Sequence, residues 1–339
     1  MRLIKTRWLG DESGAEHTLI EIERESDFDE LCRNMAQTKY YDRSYFHQTS
    51  GYKPGRHVAH FWLVAELLAL LRPSRALDVG CGRGDLLSLL ARHGIDVQGI
   101  DFSEDALRMA WPEMAGRIAL GDLLQVCAGW KGTRSFDLLL GLDIWEHLHP
   151  AQLAASIRAV SDLGTRDALA FFVVPAFGAD RSFGEQFPLE FEENRAAFES
   201  RAPFRFLTAE VLEPPIPVSG HLIWAHAQWW EQQFEAQGWR RVLDFDPVLH
   251  GVFDPLLPHS VRSFFVFRKD TDEAAARVRA LLTELTRTRA TASLSRGLLH
   301  VLREDPEEVA RRWVIPRLPS GLRQRYREGK RWVRSMLSR

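Results

Sequence analysis

Three glycines, Gly80, Gly82 and Gly84, alternate with other residues directly after the apolar run "RALDV", which carries Asp78. Glycine lets a backbone turn sharply and lets a ligand approach with no Cβ in the way. A dinucleotide site needs G-x-G-x-x-G, so that a pyrophosphate rests on a helix N-terminus. Here the third glycine comes one residue early, and Asp85 holds the dinucleotide position. A carboxylate there would repel a pyrophosphate. With Asp78 also acidic, the loop suits a ligand that carries ammonium and sulfonium groups. Asp101 ends the run "DVQGID", where an acid can accept both hydroxyls of a ribose. Asp122, in "ALGDLL", is placed to accept from an exocyclic amine such as that of adenine. A second constellation, Asp143, Glu146 and His147, lies just after the run "FDLLLGL", and His221 and His226 come later in the chain.

These residues need a frame that brings strand ends together. Between about 75 and 175, the short apolar runs "RALDV", "DVQGI", "RIAL", "FDLLLGL" and "ALAFFVVP" alternate with amphipathic stretches. That alternation predicts a parallel sheet with helices on both faces. The segment "DLLSLLARHG" reads as a helix closed by Gly94. The glycine loop therefore joins the first strand to the first helix, at the crevice where doubly wound sheets bind ligands. Upstream lie the aromatic cluster "YYDRSYFHQTSGY" and the helical pattern "HVAHFWLVAELLALL". Downstream come an insertion, about 176–218, the Trp-rich helix "AHAQWWEQQFEAQGW", and the strand candidates "RVLDFD" and "SVRSFFVFR". Residues 1–74 form an N-terminal extension, 75–270 the ligand-binding domain, and 271–339 a basic helical extension broken at Pro306, Pro316 and Pro319.

The bulk numbers fit this plan. Of 339 residues, 45% are hydrophobic and 27% charged, the balance of a soluble globular protein. The sequence has no run of ~18 apolar residues of the kind that spans a membrane, and the first residues lack the apolar core of a signal peptide. The three cysteines, Cys32, Cys81 and Cys127, form no C-x-x-C pair, which points to a reducing, cytoplasmic setting.

The residues quoted above resemble the class I S-adenosylmethionine-dependent methyltransferases. The matches are the D-x-G-x-G-x-G stretch Asp78 to Gly84, the acid of "GIDFS", and "GDLL". The segment "FDLLLGLDIWEHL" is similar to the fourth motif of the subfamily containing the ubiquinone-biosynthesis O-methyltransferases. "FFVVP" resembles that subfamily's fifth strand, and "GHLIWAHAQWWEQQFEAQGW" its post-strand segment, so the resemblance covers about residues 70–270. It implies a Rossmann-like sheet of seven strands with the last antiparallel, "SVRSFFVFR" being that strand. It also implies S-adenosylmethionine held by Asp78, Gly80, Cys81, Gly82, Gly84, Asp101, Phe102, Asp122, Leu123 and Leu142.

Methyl transfer is an in-line displacement at carbon. The acceptor atom must sit about 3 Å from the methyl, and a hydroxyl acceptor must lose a proton. The residues after the fourth strand face that point. His147 is the candidate base, because its unperturbed pKa lies near neutrality, with Glu146 and His221 beside it. The alternative is that Glu146 and His147 brace the cofactor site. A third reading is a metal. Asp143, Glu146 and His147 resemble the Glu-x-x-Glu-His arrangement of the catechol-type and small-RNA terminal methyltransferases, with Asp in place of the first Glu. Two carboxylates with His221 or His226 make a set for Mg²⁺, Mn²⁺ or Zn²⁺.

Trp224, Trp229, Trp230, Phe183, Phe187 and Phe191 are candidates to wall an acceptor site, although Trp230 and Phe234 have the spacing of residues that pack on the sheet. The insertion has the composition of a lid. Its acids, Glu185, Glu190, Glu192 and Glu193, argue against a nucleic-acid acceptor. These features lead us to expect an O-methyltransferase acting on a sugar, a glycan end, or a small polyhydroxylated or phenolic metabolite. An N-methyltransferase and a non-catalytic methyltransferase-like partner protein remain as alternatives.

The charge is uneven. Residues 271–339 carry 16 basic and 8 acidic side chains, and residues 1–270 carry 28 and 38. On a helix, Leu322, Tyr326, Gly329, Val333, Met336 and Leu337 share a face, and basic residues cover much of the rest. Such a helix suits the anionic inner face of a membrane. It would equally suit packing on the protein's own body or on a second subunit of a homo-oligomer.

Overall fold

The structure, a computed structural model, describes residues 1–7, 16–41, 52, 55–177, 191–210, 212–247, 263–284 and 287–304. In chain order the elements begin with strands β1 (Arg2–Arg7) and β2 (Glu16–Glu21) and helices α1 (Glu25–Gln37) and α2 (Ala59–Ala69). Next come β3 (Arg75–Val79), α3 (Asp85–Ala91), β4 (Asp96–Asp101), α4 (Glu104–Arg108), β5 (Ile118–Leu120), α5 (Leu123–Trp130), β6 (Phe136–Leu142), α6 (Pro150–Asp162) and β7 (Gly164–Val174). The second half holds β8 (Ala176–Phe177), α7 (Arg195–Ser200), β9 (Phe206–Glu210), β10 (Ile216–Pro217), β11 (Ala225–His226), α8 (Ala227–Glu235), β12 (Trp239–Arg241), β13 (Ser263–Lys269), α9 (Asp272–Glu284) and α10 (Arg287–Glu304).

The central sheet has seven strands in the order β12-β13-β7-β6-β3-β4-β5. The pairs β4–β5, β3–β4, β3–β6 and β6–β7 are parallel, and β13 runs antiparallel to both β7 and β12. This is the expected seven-stranded, doubly wound α/β sheet with its last strand antiparallel. The order reverses at β3, which lies between β4 and β6, so the crevice opens at the carboxyl end of β3.

Strand alternation sorts the two cores. Leu139, Phe172, Val174, Trp230 and Phe234 are buried on one face with α6 and α8. Leu138, Leu140, Phe171 and Val173 are buried on the other with α2, α3, α9 and α10. Both faces being covered explains the near-continuous apolar runs of β6 and β7. Trp230 and Phe234 pack on the sheet as their spacing predicts. Local caps set the helix starts. Ser103 Oγ accepts the Ala106 N–H at 3.2 Å and opens α4, Asp122 caps α5, and His149 with Pro150 opens α6.

Three features depart from the expectations of the sequence. The stretch "RVLDFD" is largely a 3₁₀ turn, Leu243–Phe245, and the strand is the shorter β12, which starts two residues earlier. Trp239, fully buried, anchors it. The N-terminal extension adds a hairpin, β1–β2, to its helices. That hairpin pairs with β9 of the insertion in a second sheet, β1-β2-β9-β10. Phe191 does not line a site but lies fully buried in the core. Phe183, Phe187, Glu185 and Glu190 lie outside the described residues, as does the basic stretch 305–339. No helix among the described residues is long and apolar enough to cross a membrane.

Candidate active site

The candidate cofactor site lies at the carboxyl ends of β3, β4 and β5. Gly80, Gly82 and Gly84 take φ of 69°, 55° and 77°, conformations costly for any residue with a Cβ. A Cβ on Gly80 would also stand 2.7 Å from Ile144 Cδ1, because the segment after β6 packs directly over the loop. The N–H groups of Gly80 and Cys81 donate to the Ile100 carbonyl at 2.8 and 3.2 Å. Asp101 Oδ2 accepts the Gly82 N–H at 2.7 Å, and Oδ1 accepts the Ser103 N–H at 2.8 Å. The acid expected to meet the ribose therefore also fixes the glycine loop.

Asp78 is buried beside it. Burial, and then the charge of Asp101, push its carboxyl up to about 8. Burial also raises Asp101, against the pull of its backbone N–H bonds. Two buried acids facing one crevice favour a cationic occupant. Phe102 stands exposed at the rim, while Leu123 is buried and Leu142 half-buried. Asp122 Oδ1 accepts the Gln125 N–H at 3.0 Å as an N-cap. Cys81 points its Sγ at Gly99 and so meets the crevice only through its backbone. Asp85 carries less of the electrostatic argument than its place in the motif implies. Arg83 neutralises it through two hydrogen bonds of 2.7 and 2.9 Å, and it also accepts the Val58 N–H at 3.2 Å. The case against a dinucleotide thus rests on glycine spacing.

Past β6 the chain turns through Asp143 at φ 54° and enters a 3₁₀ turn, Trp145–His147. The carbonyl of Glu146 accepts the N–H groups of Leu222 and Ile223 at 2.8 and 3.0 Å, which brings His221 alongside. Glu146 Oε1 lies 3.7 Å from His147 Nε2 and 3.8 Å from His221 Nε2. Donor atoms of Glu146, His147 and His221 all fall within 4.8 Å of one another. Asp143 and His226, the other candidate ligands, are outside this group. His226 instead meets the ring of Phe198 at 5.0 Å.

Both carboxylate oxygens of Glu146 are fully buried with no hydrogen-bond partner among the described residues. Burial pushes this carboxyl up to about 8 and His147 down to about 4. His221 lies well below its ordinary value, first by burial and then by repulsion from His147. The imidazoles are therefore neutral at pH 7. Orphaned buried oxygens beside two neutral imidazoles fit a divalent cation: Glu146, His147 and His221 would hold it, and the ion would lower the pKa of a bound hydroxyl.

The aromatic stretch upstream of α2 supplies a neighbour that no motif marks. Tyr41 Oη lies 2.8 Å from His147 Nδ1, and Trp224 meets His221 with ring centroids 4.7 Å apart. The only sequence signal for Tyr41 is its place in an aromatic cluster.

A glycine loop at the switch point of a doubly wound sheet, with acids ending its first strands, defines a nucleoside-binding enzyme domain. Comparison with known families matches residues 55–244 to the methyltransferase domain, and the chain belongs to that family. The domain is of the S-adenosylmethionine-dependent kind. The chain is 34% identical over 86 residues to the O-antigen chain terminator bifunctional methyltransferase/kinase of Escherichia coli, covering 24% of this chain and 12% of that one. It is 34% identical over 108 residues to the ubiquinone biosynthesis O-methyltransferase of Neisseria meningitidis serogroup C, covering 30% and 44%. The chain thus spans less than half the length of these relatives. Among solved structures it is similar to the 1,6-didemethyltoxoflavin-N1-methyltransferase of Burkholderia thailandensis, which has S-adenosylhomocysteine bound. That match has a TM-score of 0.46 and 14% identity, covering 79% of this chain and 100% of that one.

Proposed function

We propose that the protein transfers the methyl group of S-adenosylmethionine to a hydroxyl of a sugar, a glycan end, or a small polyhydroxylated or phenolic metabolite. One observation carries this reading. A half-buried His147, kept neutral because its pKa is lowered to about 4, stands beside Glu146 and His221 just past β6, where a hydroxyl acceptor would lose its proton. An amine attacks through its own lone pair and needs no such group. The name of one relative, a ubiquinone biosynthesis O-methyltransferase, agrees with an oxygen acceptor. Glu192 and Glu193 of the insertion would repel nucleic-acid phosphates.

In this mechanism the loop, Asp78 and Asp101 hold the cofactor, with the methyl directed toward the segment after β6. The acceptor oxygen forms a bond to the methyl carbon as the sulfur–carbon bond breaks, which leaves a neutral thioether. The hydroxyl proton passes to His147 Nε2. Positioning and the cofactor's own reactivity supply much of the rate. In the alternative version Glu146, His147 and His221 would hold a divalent ion; His147 Nε2 would then be a ligand and not the base, and the ion would acidify the hydroxyl in its place. The basic C-terminal stretch would hold the enzyme on an anionic membrane where the acceptor is lipid-linked. Truncation after Pro316 should then abolish sedimentation with anionic vesicles at low salt.

The test is incubation with methyl-labelled cofactor and fractionated cell extract. Label should appear in a hydroxyl-bearing, alkali-stable product, and His147→Ala should lose about 100-fold in rate. Wild-type turnover by His147→Ala would instead favour an amine acceptor.

A further inference from the structure

His147 Nδ1 has two neighbours within hydrogen-bond reach, Tyr41 Oη at 2.8 Å and the Gly220 carbonyl oxygen at 3.1 Å. A carbonyl oxygen only accepts. For both contacts to be hydrogen bonds, Nδ1 must carry the proton, and Tyr41 Oη must share it as a second acceptor. The opposite tautomer would set the Nδ1 lone pair against the carbonyl at 3.1 Å, which is repulsive. With Nδ1 protonated, a neutral imidazole has its lone pair on Nε2, the atom that faces Glu146 Oε1.

Tyr41 is held for this contact from several sides. Its carbonyl accepts the Ser103 hydroxyl at 3.1 Å, beside the rim residue Phe102. Its ring lies edge-on to Phe102 and Tyr40, with centroids 5.5 and 5.0 Å apart. Gly220 makes room for it. That residue sits at φ 70°, and a Cβ there would overlap Tyr41 Oη. Through this side chain the N-terminal extension reaches the candidate site.

We infer that Tyr41 is a positioning residue that, with the Gly220 carbonyl, locks His147 in the Nδ1–H tautomer and so aims the Nε2 lone pair at the acceptor hydroxyl. This deepens the reading of His147 as the group that takes the proton, and it rests on that reading. Once Nε2 is protonated, the same two acceptors hold the imidazolium through stronger, charge-assisted bonds.

The test is a long-range ¹H–¹⁵N spectrum of full-length protein labelled at histidine, with S-adenosylhomocysteine bound. The His147 signal is assigned by its loss in His147→Gln. The expected wild-type pattern is Nδ1 in the protonated range and Nε2 in the unprotonated range. Tyr41→Phe should keep S-adenosylhomocysteine affinity within about twofold and shift both nitrogens part of the way toward a tautomer average, because the Gly220 carbonyl still accepts, a change that a merely structural role would not produce. If Tyr41→Phe fails to bind that ligand, 3-fluorotyrosine incorporation keeps the ring, weakens the oxygen as an acceptor, and should move the same lines. A wild-type Nε2–H pattern overturns the inference. Unchanged His147 lines in Tyr41→Phe, with methyl transfer lost in His147→Gln, overturn it alone. Normal methyl transfer in His147→Gln overturns both it and the base reading.

Discussion

Asp101 and Gly82 are joined across the crevice: the Asp101 carboxylate accepts the Gly82 N–H at 2.7 Å, so one acid at the end of β4 shapes the loop after β3. Asp101→Ala should therefore act twice. It leaves ribose hydroxyls unpaired and frees the loop, weakening S-adenosylhomocysteine binding by about 2 kcal/mol or more, roughly 30-fold. Calorimetry checks this, and unchanged affinity would refute the placement of the ribose.

Gly80→Ala meets both a left-handed backbone and the side chain of Ile144. The expected loss of stability is about 2 kcal/mol or more, read from denaturant midpoints. Adding Ile144→Val removes the nearest clashing carbon and should recover part of that loss, leaving the backbone strain. A neutral Gly80→Ala would show that the loop relaxes freely.

Asp78 gives a pH signature. Its carboxyl, raised to about 8, is mostly protonated at pH ~6.5 in the free protein. A cofactor ammonium favours the carboxylate, so binding at that pH should release close to one proton. Affinity should then rise with pH up to about 8 and level off above it. Calorimetry in two buffers of different ionisation enthalpy measures the release. The same shift costs stability in the empty protein as pH rises from the unfolded carboxylate pKa of about 3.9 toward 8, because only the folded state keeps that proton. Asp78→Asn should remove both effects.

Metal removal addresses the group formed by Glu146, His147 and His221. Dialysis against EDTA should reduce methyl transfer, and Mg²⁺ or Mn²⁺ should restore it. His221→Ala should weaken ion binding, measured directly by calorimetry, on the order of tenfold or more. Full activity after chelation, with no ion taken up, would leave His147 acting as a base without a metal.

The glycine loop and the acids of the candidate cofactor site are legible in the sequence because they are local. Gly80, Gly82 and Gly84 declare a tight turn by residue type, and the acids come at the ends of apolar runs that mark strands. The order of the runs predicts the sheet, since parallel strands need crossover helices between them. Sequence is a poor guide where type and role separate. Asp85 has the type of a free charge, yet Arg83 pairs with it. Phe191 has the type of a site wall, yet burial holds it in the core.

By itself, the sequence determined the class of sheet, the glycine turn and the acids at successive strand ends, because each depends on neighbours a few residues away. The tertiary structure alone decided which distant groups meet. His221 reaches Glu146 because backbone bonds to the Glu146 carbonyl draw residues 222–223 inward, and Asp143 stays outside that group as the chain turns at positive φ. Tyr41 reaches His147 across a separation of 106 residues because Ser103 holds its backbone and Gly220 leaves room for its hydroxyl. No local pattern encodes such contacts, since they arise only when separate elements pack against one core.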